Sequence, residues 1–388
     1  MNDHTFSNPL LDRAFLFLED EEWNRADEYF EKVLDQDPRC ALAYFGKLLV
    51  DLKIKDKESI CNLTQPFDDN KNYQKVLRFG DELALAELNN LLQTFIESCF
   101  LIENGVLIKC KNRSLVTAKI PEGVKIIGEK AFAECRTLTN VIFPDSVTEI
   151  ETHAFLRCIR LESITFSKSI TRIGQYAFWR CENLKTLDIP DNVISIERGA
   201  FNGCTNLINI TLPSNLEKLE NNVLADCLSL KSIILPESIK IIDDYAFSHC
   251  ERLSSISLPN GLITIGGAAF NGCMSLSLIY IPNSVVSIGS GVFSGCNHLE
   301  NVTLPNGLMK IEKNTFWGCK NLAYINIPNS LTKIEAHAFT YCESLSYISI
   351  PESVLEIDEK AFYSCKNLRI YAPLGSFAND FAKRNGFI

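Results

Sequence analysis

Histidine is scarce in this sequence, with five in 388 residues. His153 and His337 share one repeat position, while His4, His249 and His298 are scattered, and none stands in a recognisable nucleophile setting. No G-x-x-x-x-G-K-[ST] or G-x-G-x-x-G lies between a strand and a helix, so nothing is built to cradle a phosphate. Basic charge is not in excess. Residues 1–99 hold 20 Asp/Glu against 11 Lys/Arg, and the rest hold 28 against 27, for a net charge of -10. A neutral body behind an acidic front argues against nucleic acid, which needs a basic face. No run approaches the roughly 18 apolar residues of a membrane span. The opening MNDHTFSNPLLDRAFLFLEDEEW lacks a basic segment, an apolar core and a small-residue cleavage site, so as written it is no secretory signal. The expectation is a cytoplasmic protein with reduced thiols. A cell-surface or secreted location is the alternative if a leader has been removed.

Cysteine, by contrast, is abundant and strictly spaced. It recurs at 135, 158, 181, 204, 227, 250, 273, 296, 319, 342 and 365, a constant step of 23. The repeat phenylalanines keep that step from Phe132 to Phe362, with Leu224 as the one substitute. A leucine follows each cysteine by three, and a proline follows further on from Pro144 to Pro351, with Ser167 as the exception. One unit reads A-F-x-x-C-x-x-L-x-x-I-x-I-P-x-S-V-x-x-I-G/E-x-x. Leu299-x-x-Val302-x-Leu304 alternates like a short strand, and Pro305 ends it because proline cannot donate a ladder bond. A turn and a second extended piece follow, carrying Leu308 and Ile311, and Thr315-Phe316-x-x-Cys319 suggests one helical turn. A coil this short cannot bury its apolar side alone, but stacked coils share a continuous core. At about 4.8 Å per strand, eleven coils give a parallel sheet roughly 50 Å long.

This unit resembles the BspA-like class of leucine-rich repeat. The segment FLIENGVLIKCKNRSLVTAKIPEGV resembles the degenerate first unit of that family, with Asn104-Gly105 suited to a hairpin over the first strand edge. The final PLGSFANDFAKRNGFI resembles its closing cap, with Phe377 and Phe381 one helical turn apart. In the first hundred residues, Trp23 and then Ala26-x3-Phe30-x2-Val33-Leu34-x3-Pro38 resemble the second helix of a tetratricopeptide unit. Tyr44-x-Gly46-Lys47-Leu48-Leu49 opens another helix, FDDNKNYQKVLRF leads into a third, and Leu83 to Ile96 is apolar at helical spacing. The expected fold class is α/β. A small all-α tetratricopeptide-like domain, 1–98, precedes a right-handed solenoid of 23-residue coils with a parallel sheet, 99–388. Within the solenoid, 99–120 form the first cap, 121–370 the repeats and 371–388 the last cap.

The thiol file is not spaced like zinc ligands, and eleven thiols in a row cannot all pair, so packing is the expected role. Cys296→Ser is then expected to destabilise by burying a hydroxyl in an apolar row. Cys40, Cys61, Cys99 and Cys110 lie off the ruler and carry no motif. Glu151, Glu197, Glu220, Asp243, Glu312, Glu335 and Asp358 share one repeat position, as solvated acids at a turn or a weak calcium site. Trp179 and Trp317 share another, where packing at an edge is expected. No catalytic constellation emerges, so neither an enzyme nor a cofactor is expected.

A solenoid's sheet is its usual contact surface. Its two outward rows are small and hydroxyl-rich, with Tyr280, Tyr324 and Tyr347 adding aromatics within about 20 Å of one another. Tyrosine is a favoured interface anchor and also a favoured strand residue. Tyr280, Asn301, Thr303, Tyr324, Asn326 and Tyr347 are the candidate partner-binding residues. The resemblance implies a non-enzymatic scaffold binding a protein partner, with a bacterial adhesin for host extracellular protein as the alternative.

Overall fold

The computed structural model describes residues 8–388, and His4 falls outside them. Helix α1 (Pro9–Glu19) starts on an Asn8 cap with proline at its first turn, where the missing N–H has no bond to lose. Helices α2 (Trp23–Gln36) and α3 (Ala41–Leu52) follow, and the expected stripe Ala26, Phe30, Val33 and Leu34 is buried. Gly46 lets α3 close on α2, since a Cβ there would lie 2.1 Å from Phe30 Cζ. A short α4 (Lys57–Ile60) precedes α5 (Lys71–Phe79), capped by Asn70, and α6 (Glu82–Cys99), capped by Asp81.

Helix α6 runs directly into a hairpin of β1 (Phe100–Glu103) and β2 (Val106–Cys110). Asn104 and Gly105, at φ 51° and 78°, make its turn as the sequence indicated. The solenoid beyond has three sides. One side carries a parallel ladder of short strands such as Asn209–Thr211, and the next carries two-residue strands such as Lys218–Leu219. Partners on neighbouring coils are 23 residues apart, as in Asn209↔Thr186 and Lys218↔Ile241.

The third side is not the helical turn expected from the sequence. It is a run of tight turns with left-handed backbone at recurring positions, for example Tyr176, Arg180, Gly199 and Gly203. A left-handed residue breaks the α-helix and turns its N–H toward the next coil: Arg180 N donates to Asn202 O at 2.8 Å. All three sides therefore bond from coil to coil.

Both ends are closed. Strand β2 pairs in parallel with Ile126–Ile127 and covers the second ladder. For the first ladder the connection between α4 and α5 supplies a backbone acceptor. Val116 N donates to Thr64 O at 2.7 Å, as Thr139 N donates to Val116 O at 2.8 Å one coil later. Asn112 Nδ2 donates to Leu63 O at 2.8 Å, and Lys119 pairs with Asp68. At the far end, helix α7 (Phe377–Asn385) carries Phe377 and Phe381 one turn apart, burying Phe381 against Phe362 and leaving Phe377 38% exposed. The chain then reverses at Gly386 and lays Phe387 on Phe362, 6.0 Å between ring centroids.

The repeat phenylalanines stack nearly parallel, 4.9 Å apart for Phe132 and Phe155 and 5.8 Å for Phe270 and Phe293. From Cys158 to Cys365 each thiol donates to the carbonyl of the repeat Phe (Leu224 in one coil) one coil back; Cys296 Sγ lies 3.2 Å from Phe270 O. That carbonyl also accepts the backbone N–H of Cys273, so the thiol satisfies its second lone pair. Cys110, off the ruler in sequence, is buried at the head of the file beside Cys135.

These bonds change what Cys296→Ser is expected to do, because the hydroxyl finds an acceptor in the apolar row. The loss is then about 1 kcal/mol, below the roughly 1–3 kcal/mol of an orphaned buried group, and urea unfolding measures it. Burial pushes the Cys296 thiol up to about 12, so it stays protonated and shielded. A maleimide reagent at pH 8 should label exposed Cys61 in the folded protein and reach Cys296 only on unfolding. Labelling of Cys296 without unfolding would contradict the packing role.

Candidate partner-binding face

The first ladder presents two outward rows. Register places Leu278 beside Asn301 and Asn301 beside Tyr324, with Tyr280 beside Thr303. Asn326 bridges to Ser349 on the same side. All six candidate residues are exposed and lie on this face. Tyr280 is 55% exposed, and the Tyr324 and Tyr347 rings meet at 5.5 Å. Two neighbours enlarge the apolar area. Leu278 is 58% exposed beside Tyr280, and Tyr371 is 57% exposed beside Ser349.

Tyr371 was hidden by a one-residue deletion. The last strand reads Leu368-Arg369-Ile370-Tyr371 where its predecessor reads Leu345-Ser346-Tyr347-Ile348-Ser349. Aligning Ile370 with Ile348 recovers it. The face thus runs from small polar residues such as Thr186 and Asn209 to an aromatic C-terminal end.

The second ladder carries charge of both signs. Arg172 meets Glu197 at 2.7 Å and Glu149 at 3.5 Å, and Lys218 meets Glu220 and Asp243 at 3.0 and 2.9 Å. Lys310 bridges Glu312 and Glu335, and Lys333 bridges Glu335 and Glu356. Several of the stacked acids are therefore ion-paired with lysine or arginine rather than freely solvated. Others accept turn N–H groups, as Glu151 does from Glu129 N and Asp358 from Lys360 N, both at 2.8 Å. Among the described residues no group of three or more His, Cys, Asp and Glu is arranged to hold a metal ion.

On the turn side, Trp179 is half-buried with Nε1 donating to Asn202 Oδ1 at 3.0 Å. Trp317 is exposed and stands edge-on to Tyr341. Burial, then the charge of Lys130, holds the His153 imidazole below its ordinary range.

A model of the BspA type leucine rich repeat region matches residues 102–201, 173–298 and 264–374. The chain belongs to the BspA-type leucine-rich-repeat family. A leucine-rich repeat protein from Bacteroides ovatus is 30% identical over 70% of this chain and 85% of that one, with a TM-score of 0.52. A leucine rich cell surface protein from Faecalibacterium prausnitzii is 28% identical over 72% of this chain and 93% of that one, at 0.45. The pneumococcal vaccine antigen PcpA is 18% identical, covering 74% and 93%, at 0.49. No curated protein matches the chain. The BspA-type repeat is a protein-interaction scaffold built by stacking coils around a shared core. Among the described residues no helix is long and apolar enough to cross a membrane.

The second ladder yields a pH signature. Hydrogen bonds from Lys310, then Lys333, hold the half-buried Glu335 carboxyl below its ordinary 4.5. A lowered folded pKa stabilises above the unfolded value, and that contribution disappears as pH falls through the lowered one. Glu335→Gln should therefore lower stability by about 1 kcal/mol at pH 7. The gap to the wild type should close on acidification below 4.5, measured by thermal melts across pH. A gap independent of pH would show that the ion pairs contribute nothing.

Proposed function

We propose that the protein is a non-enzymatic recognition scaffold that holds a protein partner on the aromatic end of its first ladder. The observation that carries this is the cluster of Leu278, Tyr280, Tyr324, Tyr347 and Tyr371, set on four coils of one exposed face. Tyrosines combine an apolar body with a polar tip, and such residues anchor interfaces. Asn301, Thr303 and Asn326 stand between them as hydrogen-bonding groups. The face carries little charge, so it suits a neutral, partly apolar partner surface.

In this reading the chain divides at 98/99, at the last residue of α6 and just before β1, into a tetratricopeptide-like helical domain and a solenoid. The helical domain offers a second contact surface as well as its Thr64 cap. The scaffold works where thiols stay reduced, supported by the protonated thiols that donate to the Phe carbonyls.

The test compares affinity capture by the wild type with capture by a variant carrying Tyr280→Ala, Tyr324→Ala and Tyr347→Ala. Cell lysate and host extracellular protein serve as separate sources, which separates the scaffold from the adhesin. The three side chains are exposed, so the fold should persist, and thermal melting checks it. Affinity for the captured partner should fall at least tenfold, the loss of about 1.4 kcal/mol that one hot spot supplies. A partner held equally by wild type and variant removes the face from the function.

A further inference from the structure

The head of the thiol file is built differently from the rest of it. Cys110 N donates to Ala131 O at 2.8 Å, as Phe132 N donates to Ala154 O at 2.7 Å one coil later. Cys110 therefore stands on β2 at the place that holds Phe, or Leu224, in the coils that follow. The phenylalanine column is continued by Phe100 instead, 6.0 Å from Phe132. Where Cys158 meets a Phe carbonyl, Cys135 meets a second thiol, and the two sulfurs are hydrogen-bonded to each other.

A cation is fixed on this pair. Arg113 Nη1 donates to Cys135 Sγ at 3.3 Å and is held there by a second bond to Ala133 O. Later thiols of the file donate to backbone carbonyls, as Cys181 does to Phe155 O at 3.1 Å. Arg113 is itself exposed, so its side chain runs from solvent to sulfur. Cys135 is 2% exposed, whereas the file thiols from Cys158 to Cys342 are at 0%, so the head of the file is where a small reagent enters.

The two thiols differ in acidity. The hydrogen bond from Cys110, and then the charge of Arg113, hold the Cys135 thiol below its ordinary range although burial opposes them. The same hydrogen bond, and then burial, push Cys110 up. A thiolate beside a protonated thiol is the arrangement that reacts with a peroxide and then resolves to a disulfide.

We propose that Cys110 and Cys135 are a reversible redox pair, in which hydrogen peroxide oxidises Cys135 beside Arg113 and Cys110 resolves it to a disulfide. The Cys135 sulfur attacks one peroxide oxygen; the S–O bond forms, the O–O bond breaks, and hydroxide leaves and is protonated to water. The Cys110 sulfur then attacks the sulfur of the Cys135 sulfenic acid. The S–S bond forms, the S–O bond breaks, and the departing hydroxide takes the Cys110 proton. Two thiols and one peroxide thus give one disulfide and two waters. The product staples the hairpin cap to the first coil, and a dithiol reductant reverses it. The pair is independent of the tyrosine face and of any partner there.

The test treats the reduced, folded full-length protein with hydrogen peroxide, blocks the remaining thiols and maps linked peptides by mass spectrometry without reduction. A Cys110–Cys135 link should form before any link among Cys158 to Cys365, and dithiothreitol should remove it. Cys110→Ala should leave Cys135 as a sulfenic acid that dimedone traps. Arg113→Gln should move the pH dependence of the rate upward by about one unit, roughly a tenfold loss at pH 7, and Arg113→Lys should recover part of it. The Arg113 side chain is exposed, so this variant decides the matter if Cys110→Ala fails to fold. Oxidation of exposed Cys61 with no Cys110–Cys135 link would overturn the proposal. So would links deeper in the file forming equally fast, or a rate profile unmoved by Arg113→Gln.

Discussion

The structure depends on one repeated interaction, the backbone hydrogen bonding of each coil to the next at a register of 23 residues. It runs on all three sides of the solenoid: Ile210 beside Leu187 on the first ladder, Leu219 beside Ile242 on the second, and Phe178 N to Ala200 O at 2.8 Å on the turn side. A coil cut from its neighbours would expose these groups and half of its apolar interior at once, so stability arises between coils. An inserted residue would move every later side chain off its column, which accounts for the strictness of the repeat. The same dependence makes open ends costly, and each end is closed by a different device.

The core follows from that register. Phenylalanine rings form a column because equivalent positions are forced one above another, and the cysteine file follows for the same reason. Cysteine suits its position through two properties at once. It is small enough for the tight turn, and its thiol supplies a weak donor to a carbonyl that has one lone pair left. Desolvation pushes buried thiols such as Cys273 and Cys296 up and so favours their protonated form.

With the interior uniform, what distinguishes one part of the solenoid from another lies on its surfaces. The first ladder shows small polar residues that give way to tyrosines, and the second carries two stretches of paired acids and bases, around Arg172 and Lys218 and around Lys310 and Lys333. The turn side places aromatic walls beside glycine-bearing coils. A regular scaffold separates these properties because a side chain's place in the unit decides which side it faces. Its coil decides only how far along it stands.

The sequence by itself determined the repeat, the inward landmarks from Phe132 to Leu368, the outward rows carrying Tyr280, Tyr324 and Tyr347, and the hairpin at Asn104-Gly105. These follow from local alternation, a fixed period along the chain and, for the hairpin, the turn preference of Asn-Gly. Tertiary structure alone decided the rest. Thr64 supplies a backbone acceptor to the first coil because the chain folds back over more than fifty residues to reach Val116. Lysines two residues earlier in the same coil already reach Glu220, Glu312 and Glu335, but the second bonds, Lys218 to Asp243 and Lys310 to Glu335, form only because neighbouring coils align them. Phe387 rather than Phe377 closes the far end because Gly386 reverses the chain. Period is a property of the chain, but partnership between distant residues is a property of the stack.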